Sequence, residues 1–339
     1  MSNPIGIRGI SFIEFSSDNP SRLDELFLAF GFSRVGQHKD YELDHYRQGD
    51  IHFFINREAT GFTADFREQH GPSASAMGWV VENPAEAKRI AVQRGARSFD
   101  GDTHFGLPAI YGIGDSLIFF VPKDSKSWFE DSFVSHKNPF HQKGLGFRYI
   151  DHLTNNVYKG TMERWSNFYK QLFGFTEVKY FDINGVKTGL QSYALRSPCG
   201  TFCIPINESK DGKSQIQEYL DDYNGPGIQH IALLSDDLLT SLEQLPRDKI
   251  ETLDIDDGYY EEVFERVPNV TEDPERIKAN QVLVDGDEEG YLLQIFTKNL
   301  IGPIFIEMIQ RKNHHAFGEG NFGALFRSIE REQQKRGYL

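Results

Sequence analysis

GISFIEFSSDNPSRLDELFLAFGFSRV, residues 9–35, and RYIDHLTNNVYKGTMERWSNFYKQLFGFTEV, residues 148–178, share one pattern. Each begins as a strand, passes through a polar turn, continues as an amphipathic helix and stops at Phe-Gly-Phe. In the first helix Leu23, Leu26, Phe27 and Phe30 fall at i, i+3, i+4 and i+7. In the second, Trp165, Phe168, Tyr169 and Leu172 repeat that spacing, so each helix carries one apolar stripe. Gly31 and Gly174 stand where a helix ends in the left-handed region.

The same order returns from Ser75, in SAMGWVVENPAEAKRIAVQRGA, and from Ile228, in IQHIALLSDDLLTSLEQL. Asn83 and Asp236 or Asp237 are candidate N-caps for those helices. Short β-rich runs at 50–55, 116–121, 201–206 and 292–296 complete the units, so the chain reads as four β-α-β-β-β modules of an α+β protein. The periodicity is interrupted by SHKNPFHQKGLG, residues 135–146, which divides the chain into residues 1–135 and 146–339. A length of 339 residues agrees with two domains.

Composition narrows the function. The formal charge of −14 and pI near 5.3 argue against nucleic acid or an anionic membrane as partner, because both require a positive surface. The only cysteines, Cys199 and Cys203, are too few for a disulfide framework or a four-thiolate zinc site. The amino terminus lacks a basic segment followed by an unbroken apolar one, and no stretch has the length of a membrane span. A cytoplasmic protein acting on a small molecule is expected.

Three residues of the second half stand out. His152 lies in the strand YIDHLTN, His230 at the equivalent point of IQHIALL, and Glu307 within the apolar strand PIFIEMIQR. A buried carboxylate without a partner costs several kcal/mol or takes up a proton. Singly, a strand histidine is most often a hydrogen-bonded core residue, and a strand glutamate a solvent-facing one. Together, two imidazoles from equivalent strands and a carboxylate from a later one can converge inside a curved sheet as a two-histidine, one-carboxylate facial triad, the arrangement of non-haem Fe(II) oxygenases. The first half has Phe12 and Ala76 at the corresponding positions and no acid in LIFFVPK, so it is expected to bind no metal.

With YIDHLTNNV, GIQHIAL, LLQIFTK, PIFIEMIQR and FGEGNFGALFRSIEREQQKRG in that order, the chain resembles the 4-hydroxyphenylpyruvate dioxygenases of the vicinal-oxygen-chelate superfamily from about residue 5 to its end. The resemblance implies two open-barrel, glyoxalase-like domains, with Fe(II) held by His152, His230 and Glu307. It implies 4-hydroxyphenylpyruvate and O2 as substrates, homogentisate and CO2 as products in tyrosine and phenylalanine catabolism, and assembly as a dimer or tetramer. It assigns the substrate pocket to Ser192, Pro205, Asn207, Gln215, Gln229, Gln294, Phe296, Phe305, Phe317, Asn321 and Phe322, with reaction roles for Ser192, Asn207, Gln229 and Gln294.

The terminal segment also reads as a helix on its own evidence, about 321–336. Phe322, Leu325, Phe326 and Ile329 form one stripe, with Asn321 as N-cap. Gly318 and Gly320 would serve as its hinge, making it a lid that excludes water. Asn313, His314 and His315 depart from the family pattern and read as a solvated loop. The alternatives are a 4-hydroxymandelate synthase, an extradiol-type dioxygenase and a non-catalytic small-molecule binding protein.

Overall fold

The computed structural model describes residues 2–102, 104–185 and 187–339. The first sheet contains β1 (Ile7–Ser16), β2 (Ser33–His38), β3 (Leu43–Gln48), β4 (Ile51–Asn56), β5 (Ser73–Val81), β6 (Ser98–Phe99), β7 (Ala109–Tyr111), β8 (Leu117–Pro122) and β9 (Phe133–Phe140). The second contains β10 (Phe147–Val157), β11 (Thr176–Asn184), β12 (Gly189–Arg196), β13 (Cys203–Ser209), β14 (Gly227–Ser235), β15 (Leu283–Gly286), β16 (Tyr291–Phe296) and β17 (Phe305–Lys312). Their orders are β6-β7-β8-β5-β1-β4-β3-β2-β9 and β11-β12-β13-β10-β14-β17-β16-β15. Apart from β9, each sheet is therefore two four-stranded modules joined by their opening strands.

Those opening strands, β1 with β5 and β10 with β14, form antiparallel seams, and the first strand of each module runs parallel to its last. Register shifts interrupt both seams at corresponding places. The extra residues are Arg8, Ser11 and Ser75 in one sheet and Arg148, Asp151 and Gln229 in the other. A bulge bends its strand and adds twist, and the second sheet curls into a half-barrel. The predicted fourfold module repeat is thus present down to its irregularities.

The helical stripes bury as their spacing predicts: Leu23, Phe27 and Phe30 in the first helix, Tyr169 and Leu172 in the second. Asn83 and Asp237 cap their helices by accepting from Glu86 N and Thr240 N. Gly31 and Gly174 both take positive φ. At Gly174 a side chain is excluded twice over, because a Cβ would also strike the carbonyl oxygen of Ser2.

The two halves share one hydrophobic core. Trp79, fully buried on β5, packs edge-on against Phe173 with ring centroids 5.1 Å apart and also meets Tyr169, Phe175 and Phe202. The segment 135–146 differs from expectation: its first part belongs to β9, which pairs with β2 at the sheet edge. Pro139 is tolerated there because the outer side of an edge strand needs no ladder donor. Among the described residues no helix is long and apolar enough to cross a membrane.

Candidate metal centre

The register brings the three predicted ligands together. His152 on β10 and Glu307 on β17 both stand opposite Ala232 of the intervening β14, and His230 lies two residues along that strand. Ala232 is fully buried, and its methyl group leaves room between the longer side chains. Glu307 Oε2 is 3.0 Å from His152 Nε2 and 3.3 Å from His230 Nε2, and the two imidazole atoms are 3.4 Å apart. Neighbouring ligands of an octahedral ion with bonds of about 2.1 Å lie about 3 Å from one another, whereas opposite ligands lie about 4 Å apart. All three separations lie nearer the shorter length, which fits three ligands gathered on one side of an ion and not a meridional set.

The donor set fits a divalent cation. His152 donates from Nδ1 to Asp151 Oδ2 at 2.7 Å, and His230 donates from Nδ1 to Gln229 Oε1 at 3.3 Å. With Nδ1 so committed, each inward Nε2 is the atom left to offer a lone pair, beside the oxygens of Glu307, once no proton occupies it. Asp151 and Gln229 are two of the three bulged residues of the seam, Arg148 being the other. Each ligand histidine thus follows a bulge, whose altered direction lets the preceding side chain reach the ring.

Burial opposes charge throughout the cluster, but the ion pairs win at two positions. The Glu307 carboxyl, despite burial, is held down to about 2 by His152 and His230. The His152 imidazole, also against burial, is pushed up to about 9 by Glu307 and Asp151. At His230 burial prevails and lowers the value. The proton shared by His152 and Glu307 is what an arriving metal ion must displace.

A cavity opens above these ligands. Among the predicted pocket residues, Ser192, Pro205, Asn207, Gln215, Gln229, Phe296, Phe305, Phe317 and Phe322 line it. Phe305 stacks on His230 at 4.8 Å, and Phe317 stands edge-on to His152 at 5.7 Å. The amides form a loose chain, Asn207 to Gln229 at 3.5 Å and Gln229 to Gln215 at 3.4 Å. The terminal helix Phe322–Lys335 closes one side, contributing Leu325, Phe326 and Ile329.

Two predicted pocket residues lie elsewhere. Gln294 is buried on β16, but Gly318 packs against its amide and the cavity does not reach it. Asn321 precedes the helix, yet its side chain caps nothing. Its Oδ1 accepts from Tyr259 Oη at 2.7 Å and Arg266 Nη2 at 3.2 Å, fixing the segment before the lid. His314 is buried beside Asp287 rather than solvated, while His315 is exposed. Sequence reasoning also missed Thr154, Phe181, Ile183 and Leu190 in the cavity wall. Their alternation on β10, β11 and β12 was readable, but which face turned inward was not.

The first half supplies the contrast. The equivalent register positions hold Phe12, Ala76 and Phe119, all buried in one aromatic cluster with Phe54 and Phe105. Among the described residues the only group of histidine, cysteine and carboxylate side chains suited to a metal is His152, His230 and Glu307.

Paired β-α-β-β-β modules with such a cluster in one half-barrel define a glyoxalase-like, vicinal-oxygen-chelate protein. Residues 149–294 match the family model described as Glyoxalase/Bleomycin resistance protein/Dioxygenase superfamily. Residues 1–134 match the one described as Hydroxyphenylpyruvate dioxygenase, HPPD, N-terminal. The chain belongs to the 4-hydroxyphenylpyruvate dioxygenase family.

It is 42% identical to a 4-hydroxyphenylpyruvate dioxygenase of Legionella pneumophila (strain Corby), over 100% of this chain and 98% of that protein. It is 54% identical to Protein MelA of Shewanella colwelliana, over 99% of each. Among solved structures, a xylose isomerase-like TIM barrel/4-hydroxyphenylpyruvate dioxygenase fusion protein superposes with TM-score 0.83 at 28% identity. That match covers 97% of this chain and 54% of the longer one.

Proposed function

We propose that this chain is a 4-hydroxyphenylpyruvate dioxygenase that uses Fe(II) and O2 to form homogentisate and CO2. Its residues 146–339 form the catalytic domain, and residues 1–135 form a metal-free partner. Both oxygen atoms enter the organic product, one in its new carboxylate and one on the ring, as the side chain migrates and the original carboxylate leaves as CO2. Iron held by His152, His230 and Glu307 would supply the redox reaction with O2 that no side chain offers.

The observation that carries this reading is the contrast between the triad and its surroundings. No lysine, arginine or second carboxylate is found among the described residues lining the cavity. An anionic 2-oxo acid therefore has positive charge to meet only at the metal, where two neutral imidazoles and one carboxylate leave a divalent ion at net +1. Phe296, Phe305, Phe317 and Phe322 offer apolar walls for an aromatic ring. Ser192, Asn207, Gln215 and Gln229 offer neutral partners that can hold a phenol without ionising it. The terminal helix excludes water from the oxidising centre.

The test is oxygen uptake with 4-hydroxyphenylpyruvate, with and without added Fe(II), followed by product identification. Iron-dependent uptake with equal yields of CO2 and homogentisate is expected. A yield dominated by 4-hydroxymandelate would reassign the reaction to benzylic oxidation.

A further inference from the structure

Neighbouring residues of a regular strand point to opposite faces, so Asp151 has no ordinary route to the ring of His152. The bulge at Asp151 provides one, and the carboxylate engages His152 Nδ1 from behind. Asp151 is itself held by a fork. Arg311, four residues beyond Glu307 on β17, donates from Nε to Oδ1 and from Nη2 to Oδ2, both at 2.8 Å. A planar bidentate pair fixes direction as well as charge, which a lysine could not do.

The same guanidinium turns toward the lid. Arg311 Nη1 donates to the carbonyls of His314 at 3.2 Å and Ala316 at 2.6 Å, just before Phe317. Its central carbon lies 5.9 Å from the centre of the Phe317 ring, which in turn stands against His152. Arg311 and Asp151 are about seven-eighths buried, and neither lines the substrate cavity. Their arrangement is therefore not explained by substrate binding.

We infer that Asp151 and Arg311 are a positioning pair that aims His152 at the metal and anchors the loop bearing Phe317, linking metal capture to closure of the terminal segment. The inference rests on the assignment of His152, His230 and Glu307 as metal ligands. Outer partners of ligand histidines set ring orientation, and their loss typically weakens metal binding roughly 10- to 100-fold.

The experiment compares the full-length chain with Asp151→Asn and Arg311→Lys, and with Asp44→Asn as a control. Asp44 is similarly buried and paired with Arg57 and His136, in the half that lacks the triad. Anaerobic Fe(II) and Co(II) affinities, the visible spectrum of the Co(II) form, and hydrogen exchange across residues 313–322 are measured for each.

Both test variants should lose roughly 10- to 100-fold in affinity and show an altered Co(II) spectrum. Exchange of the loop should accelerate in the same variants. Asp44→Asn should lose stability without either change. If the unmutated chain binds one ion and the test variants match it in affinity and spectrum, the positioning role is refuted while the metal site stands. Failure of the unmutated chain to bind either ion would remove both.

Discussion

Phe12 and Phe119 occupy, in the first half, the register positions that His152 and Glu307 occupy in the second, with ring centroids 6.0 Å apart. One half fills these positions with aromatic rings, the other with the candidate ligands His152, His230 and Glu307. Phe12→Ala should therefore destabilise the protein by about 3–5 kcal/mol through an aromatic-sized void. Urea unfolding would show the loss, and elemental analysis should find the metal content unchanged. A variant of normal stability that had lost its metal would contradict this division.

Glu307→Gln removes the one anionic ligand and raises the charge of a loaded site by one unit. Iron occupancy should drop, and turnover should fall roughly a hundredfold or more. The apo fold should persist, because the surrounding β14 and β17 core is apolar. Wild-type turnover in this variant would remove Glu307 from the metal.

A second buried pair makes stability depend on pH. Glu14 accepts from His104 at 2.6 Å and from Thr63 and Ser75. Burial opposes both charges, but their attraction lowers Glu14 below its ordinary 4.5 and raises His104 above its ordinary 6.5. The carboxylate contribution is present above pH 4.5 and fades as the pH falls through its lowered value. The imidazolium contribution is present below pH 6.5 and fades as the pH rises through its raised value. The pair thus stabilises most between those limits. Glu14→Gln should flatten the unfolding free energy against pH and cost about 3 kcal/mol inside that window. A parallel, uniformly shifted profile would show that the pair is not responsible.

Glu330 fastens the terminal helix by accepting from Lys187 N at 3.0 Å and from Thr188 N and Oγ1 at 3.1 Å. Glu330→Ala strips three donors of their acceptor, two of them on buried Thr188, at a cost of about 1–3 kcal/mol. With the lid loosened, the ratio of CO2 to homogentisate should rise above one. Deleting the chain after Phe317 should exaggerate the effect. A ratio of one in the truncated protein would refute the lid.

The repeat and the triad were legible because each leaves a local mark. The helical stripes alternate at a fixed spacing, and Glu307 is an acid inside an otherwise apolar strand. Asp151 and Arg311 left none. Strand alternation assigns Asp151 to the wrong face, and only the pairing with β14 introduces the bulge that redirects it. Gln294 shows the reverse: the resemblance implies a pocket role for it, but the approach of Gly318 to its amide depends on how a distant loop folds back. Asn321 likewise sits at the helix start as expected, while Tyr259 and Arg266, remote in sequence, claim its side chain.

The corresponding register shifts at Ser11 and Ser75, and at Asp151 and Gln229, have one more implication. Because the first half makes the same bends with serines, the curvature of the seam is a property of main-chain pairing and not something the ion imposes. A newly made molecule should then reach its final shape before any ion arrives, with His152, His230 and Glu307 already gathered.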